Sequence, residues 1–365
     1  MRLLRSVCSH YGCNEVVLRR LPDRQRRKFY HVPVLIKSVT KLLVSEEMKV
    51  PRYFVDATVG CAGHAQKILE SDPNIRMLCI DRDPEVLSIA TDNLKKFTSR
   101  VKFVNGSYAD LENHLKVSGF PSEVSGILVD LGVNSLHYDK PERGFSWLRD
   151  GPLNMRFDES DSTIDCAADI LQTSSEVELT RIFREYGELK CAKEYAKAIV
   201  RKRETAAPGS RAFETTFHLR DAIEEVAAKW RPKRLSPSHA SKTNRSSLAR
   251  PITGCFQALR IQVNKELAHV HEGVPVLANH LTPGARLVTI AFHSLEDRPI
   301  KQIFRTLAHE LKDGQLDSLQ CDLSKSLRGK TFRFINKKVV KPCREEVVEN
   351  PRSRSARLRC LERAK

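Results

Sequence analysis

The sequence predicts an α/β protein, an open doubly wound sheet interrupted by a large helical insertion. Three observations carry that expectation. Short apolar runs alternate with helical stretches from Tyr53 to Leu131, the alternation stops between about Tyr138 and Arg250, and strand character returns at Leu287 to Phe292 and Phe332 to Val340. Strands joined through helices run parallel with right-handed crossovers, and such sheets bind ligands at the carboxyl ends of their strands.

Taken in order, Tyr53 to Thr58, Met77 to Ile80, Val101 to Val104 and Ile127 to Leu131 are the expected first four strands. Each is a short run of β-branched and apolar residues bounded by polar or Gly-containing turns. Helices are expected at Ala65 to Leu69 and Glu85 to Phe97, and a further one at Phe256 to Leu267 leads back into the sheet. Residues 31–137 and 251–365 then form one discontinuous domain, with 138–250 as the inserted helical unit. Arg231 to Arg250 is rich in Ser, Pro, Lys and Arg with no acidic residue, the composition of a mobile basic loop.

The chain has 365 residues, 41% hydrophobic and 29% charged, which suits a folded protein of one elaborated or two modest domains. No apolar run approaches the roughly 18 residues of a membrane span. Lys and Arg outnumber Asp and Glu by 62 to 45, a net charge of +17 that favours a polyanionic partner, nucleic acid first. The ten cysteines form no CxxC pair, which argues against structural zinc and for reduced thiols. Residues 1–30 carry eight Arg and Lys against Glu15 and Asp23, a pattern resembling a mitochondrial presequence; a basic arm that clings to RNA is the other reading.

Four motifs sit at strand ends. Asp56-Ala57-Thr58-Val59-Gly60-Cys61-Ala62-Gly63-His64 closes the first strand and opens a helix, where glycine lets backbone approach a ligand. Asp81-Arg82-Asp83-Pro84 closes the second, placing a carboxylate about twenty residues after the glycine turn, where adenosine ribose hydroxyls need an acceptor. The turn lacks the GxGxxG spacing that cradles a pyrophosphate, so S-adenosylmethionine is favoured over NAD. Tyr108 follows the third strand, placed either against adenine or in ordinary packing. Asp130-Leu131-Gly132-Val133-Asn134 follows the fourth and is the expected reaction floor.

These motifs resemble the RsmH (MraW) family of ribosomal RNA cytosine-N4 methyltransferases. The likeness runs from His31 to Arg359 and continues through Glu142-Arg143-Gly144-Phe145-Ser146, Arg149-Asp150-Gly151-Pro152-Leu153, Tyr186-Gly187-Glu188, Phe256 to Ile261, Phe292-His293-Ser294-Leu295-Glu296-Asp297-Arg298 and Asn350-Pro351-Arg352-Ser353-Arg354-Ser355. It implies a class I (Rossmann-like) methyltransferase sheet with a helical, substrate-recognising domain inserted after the fourth strand. It also implies cofactor contacts at Gly60, Ala62, Gly63, His64, Asp81, Tyr108, Asp130 and His137. The family pattern has Gly, Gln and Asp where this chain has Ala62, His137 and Asn154.

The expected reaction is methyl transfer from S-adenosylmethionine to the N4 amine of an unpaired cytosine in small-subunit ribosomal RNA, in mitochondria if residues 1–30 are a presequence. Asp130, Asn134 and His293 are the catalytic candidates. Gln257, Arg260 and Asn264 make a polar helical stripe, either a solvated face or one wall of the RNA cleft. Arg352 and Arg354 are two apart, as are Arg357 and Arg359, which in an extended chain share a face toward phosphate; a charged edge strand is the alternative. No metal is expected, and the partner is ribosomal RNA or the assembling small subunit, with a homodimer open. The competing functions are a methyltransferase for DNA or protein and a non-catalytic ribosome-assembly factor.

Overall fold

The protein is described by a computed structural model covering residues 33–44, 52–229, 240–308, 327 and 329–364, with backbone alone for 240–247. The N-terminal segment 1–30 and residues 231–239 of the expected basic loop lie outside the described residues. Among the described residues, seven strands form one sheet in the order β3-β2-β1-β4-β5-β7-β6. They are β1 (Arg52–Asp56), β2 (Ile75–Asp81), β3 (Val101–Asn105), β4 (Val124–Asp130), β5 (Leu281–Ala291), β6 (Phe332–Phe334) and β7 (Arg357–Arg363). The first five run parallel, while β7 lies antiparallel between β5 and β6. Strand order reverses between β1 and β4, which makes their carboxyl ends the natural ligand crevice.

Hydrophobic burial covers both faces of the sheet. Tyr108, Leu111, Leu115, Val270, Val274 and Leu277 pack on one side, and Val39, Ile68, Leu69 and Ala90 on the other. A third cluster, from Phe145 to Val263, belongs to the helices between β4 and β5 and includes Leu179, Phe183, Ile199, Phe213, Ile223 and Phe256. No helix among the described residues is long and apolar enough to cross a membrane.

Several boundaries differ from the sequence reading. The helix expected at Phe256 to Leu267 runs instead over Ala240–Asn264, stops at Lys265 with φ 50°, and a new helix follows over Glu266–Asn279. The division at 250/251 therefore falls inside a helix, and residues 240–250 are helical rather than loop. Leu248, Ile252, Cys255, Phe256 and Leu259 repeat at helical spacing toward the third cluster, so burial overrides the polar composition there. The strand expected over Phe332 to Val340 is only Phe332–Phe334, with Val340 making an isolated bridge to Leu358.

Candidate active site at the strand ends

The glycine turn is built from residues held at left-handed angles. Gly60 has φ 55° and Ala62 φ 67°, the latter opening the helix Gly63–Ser71. That angle explains why glycine is favoured at position 62, since a Cβ at positive φ crowds the carbonyl. A Cβ on Gly63 would lie 2.9 Å from Pro33 Cγ, so the turn also needs its second glycine. His64 is buried, with Nε2 2.8 Å from the Val34 carbonyl and Nδ1 3.6 Å from Asp130 Oδ2.

Three carboxylates converge on this turn from β1, β2 and β4. Asp81 Oδ2 accepts the Gly60 N–H at 2.9 Å and Oδ1 the Asp83 N–H at 3.0 Å, so the turn and this carboxylate fix each other. Burial raises its pKa, opposed by those two bonds. Burial pushes Asp56 up to about 7, and the neighbouring Asp81 charge adds to it. Asp130 is raised well above the ordinary range by burial and then by Asp56 and Glu296. Asp56 Oδ2 and Asp130 Oδ1 are buried without a hydrogen-bond partner. Mutually repelling, partly orphaned carboxylates are costly alone and are relieved by a cation.

The floor after β4 departs from expectation at Asn134. Its side chain caps the helix Ser135–Asp139 through the Leu136 N–H at 3.0 Å and donates to Cys61 Sγ at 3.2 Å. Both ends of the carboxamide thus serve structure, and Asn134 joins floor to glycine turn. His137, expected at the cofactor, is buried with both ring nitrogens engaged: Nε2 lies 2.7 Å from Asp83 Oδ2, and Nδ1 accepts the Asn134 N–H at 3.1 Å. Arg143 reaches the same Asp83 oxygen at 2.8 Å and also donates to the Arg156 and Phe157 carbonyls. Asp83 and Arg143 stand within the Asp81–Pro84 and Glu142–Ser146 motifs, but sequence spacing alone does not show that they pair.

The polar stripe on Ala240–Asn264 is corrected as well. Arg260 donates from Nε and Nη2 to the two Glu266 oxygens at 2.7 and 2.9 Å, buried inside the protein. Asn264 is 1% exposed and holds the Phe157 N–H and the Met155 and Arg260 carbonyls. Gln257 donates to the Tyr186 carbonyl. Arg260 clamps the helical unit to the helix Glu266–Asn279 on the sheet, Gln257 and Asn264 tie segments within the unit together, and the buried Arg260 and Asn264 do not line an RNA wall. Arg82 adds to the clamp, donating to the Asn264 carbonyl at 2.7 Å and lying over the Phe157 ring.

His293 stands at the end of β5 and precedes the helix Ser294–Leu307. Its Nε2 lies 3.0 Å from Glu296 Oε1, whose other oxygen accepts the Phe292 and His293 N–H groups. Glu296 also faces Gly132, where a Cβ would lie 4.0 Å from Oε1, so it brings His293 toward the Asp130 floor. Tyr108 is buried beneath Gly273, whose hypothetical Cβ would sit 2.4 Å from the ring, and its pKa is raised by that burial. Packing in the core is therefore the observed part of its role.

The C-terminal arginines separate into two sets. Residues 351–355 form a 3-10 turn, so Arg352 and Arg354 do not lie along an extended face. Both are exposed, and Arg352 lies over Tyr138 while its Nη2 approaches Asp139 at 3.4 Å. Arg357 and Arg359 share one side of interior β7 and both pair with Asp297, Arg359 doing so bidentately at 2.7 and 3.0 Å. Neither pair lies on an edge strand.

A seven-stranded sheet with a reversed β7, bearing carboxylates at the ends of β1, β2 and β4, defines a class I methyltransferase. The profile of the MraW methylase family matches residues 28–364. The chain is 39% identical over 335 residues to the ribosomal RNA small subunit methyltransferase H of Thermotoga neapolitana, covering 91% of this chain and 96% of that protein. It is 38% identical over 344 residues to the protein of the same name from Geobacter sp. strain M21, covering 92% and 99%. The Clostridioides difficile counterpart is 35% identical over 342 residues, covering 92% and 99%. The chain belongs to the MraW methylase family.

Proposed function

We propose that this methyltransferase uses S-adenosylmethionine to methylate the N4 amine of a cytosine in small-subunit ribosomal RNA. The observation that carries the cofactor reading is the pair of orphaned carboxylate oxygens, Asp56 Oδ2 and Asp130 Oδ1, at the switch point of the sheet. A ligand bearing a sulfonium and an ammonium relieves that repulsion, whereas a pyrophosphate would worsen it. The residues fit: Gly60, Ala62, Gly63 and His64 bring backbone close, and Asp81 is placed to accept from the ribose hydroxyls. When bound, S-adenosylmethionine supplies an electrophilic methyl group.

The chain's own residues do the rest. Asp130 Oδ1 holds an N4 hydrogen of the cytosine and favours the amine-like geometry whose lone pair can attack. Its raised pKa makes it a poor acceptor in the free protein, and a neighbouring cation returns it to the carboxylate form. His293 and Glu296 hold the adjoining wall. The target base must be unpaired or flipped, at a typical cost of a few kcal/mol.

The RNA reading is supported by the net charge of +17, by exposed Arg352 and Arg354, and by the names of the relatives. Cytosine N4 as the target rests on the family resemblance. A mitochondrial setting is part of the proposal and rests on the basic residues before the family match begins at 28. Incubating isolated small-subunit RNA with labelled methyl donor, followed by nucleoside mass spectrometry, should reveal N4-methylcytidine. Label on another base, or none, would overturn the assignment.

A further inference from the structure

His137 stands where the family pattern has glutamine, and its surroundings show what the position requires. The residue needs one donor toward Asp83 Oδ2, 2.7 Å from Nε2, and one acceptor for the Asn134 N–H, 3.1 Å from Nδ1. Only the neutral imidazole protonated at Nε2 supplies both. Its ring stacks on Phe145 at 4.8 Å and lies tilted to Phe157 at 5.3 Å between centroids, so it has little freedom to turn.

The two bonds reach opposite sides of the site. Asp83 follows Asp81, whose carboxylate accepts the Asp83 N–H at 3.0 Å. Asn134 ends the Asp130 floor and touches the glycine turn through Cys61. We propose that His137 is a positioning residue that ties the β2 turn to the β4 floor through this donor–acceptor pair, and that a side chain offering the same donor and acceptor keeps the tie.

Glutamine offers one donor and one acceptor as this imidazole does, whereas leucine offers neither and leaves the Asn134 N–H without its side-chain acceptor and Asp83 Oδ2 with Arg143 at 2.8 Å.

This inference rests on the S-adenosylmethionine reading, and the test separates the two. Cofactor affinity of the parent, His137→Gln and His137→Leu is measured by calorimetry at pH 8, with melting temperatures of the ligand-free proteins alongside. His137→Gln should bind within about threefold of the parent, and His137→Leu about tenfold more weakly, the worth of one lost buried hydrogen bond. A folded Gln variant that loses about tenfold or more would overturn the proposal even if the Leu variant fails to fold, as would a folded Leu variant that binds like the parent. Absence of binding in every protein would instead remove the cofactor reading.

Discussion

Asp81 is the residue on which the proposed cofactor contact rests most locally, since its two oxygens are oriented by the Gly60 and Asp83 N–H groups. Asp81→Ala should weaken S-adenosylmethionine by about 2 kcal/mol or more, in the range of hydrogen bonds to a charged group, and calorimetry on the folded variant checks it. Unchanged affinity would remove the ribose assignment. Ala62 makes a complementary case: at φ 67° its Cβ is strained, yet the side chain is buried at 1% exposure. Ala62→Gly should stay within about 1 kcal/mol of the parent, because relief of the left-handed strain offsets the lost methyl. Ala62→Val should cost about 2 kcal/mol or more, since a β-branched residue fits neither the angle nor the space. Denaturant unfolding of the two variants distinguishes them. The places of Asp81 at a strand end and Ala62 in a turn were legible in the sequence because strand-end carboxylates and glycine turns are local signals. The role of Asn134 was not, because the same carboxamide could face a substrate or cap a helix, and only the fold places Cys61 beside it.

At the scale of elements, the helical unit is joined to the sheet by buried polar clamps. Arg143 is 2% exposed and binds Asp83, Glu85 and two carbonyls of the segment after residue 155. Arg143→Met should destabilise the protein by about 3 kcal/mol, because Asp83 stays buried with a cation removed, and thermal unfolding measures the loss. Gly151 shows the same junction in backbone: a Cβ there would lie 2.0 Å from the Pro141 carbonyl oxygen, with no flexible atom to yield. The alternation of strands and helices was readable because burial on both faces leaves continuous apolar runs. The polar stripe at Arg260 and Asn264 was misread for the opposite reason. Period alone shows that polar residues share a face, and it took Glu266, Phe157 and Met155 from other segments to show that the face is buried. Nothing local marks the break at Lys265, where Arg82 caps the Asn264 carbonyl from 182 residues away.

For the whole molecule, the three carboxylates tie stability to pH. Asp56 is raised to about 7 from an ordinary value of 3.8, so the folded protein holds its proton more tightly than the unfolded chain. The associated stability is present below about pH 4 and is lost as pH rises through about 7; Asp130, raised in the same direction, adds to the loss. Asp83 and Glu296 are lowered, and their contribution falls away only in acid, outside that window. The ligand-free protein should therefore melt at a lower temperature at pH 8 than at pH 5.5, and Asp56→Asn should flatten the trend. Stabilisation by S-adenosylmethionine should grow over the same interval, because a cation favours the ionised carboxylates. The measurement that tests the account most directly is single-turnover methylation of a small-subunit RNA fragment by the parent and Asp130→Asn, with RNA and cofactor affinities determined separately. The amide keeps the shape of the carboxylate and loses its charge at the target amine, so turnover at saturating RNA and cofactor should fall by the equivalent of roughly 2 to 4 kcal/mol and RNA affinity should change little, while the weaker cofactor binding expected from the lost charge is measured apart from it. Turnover equal to that of the parent would contradict the account.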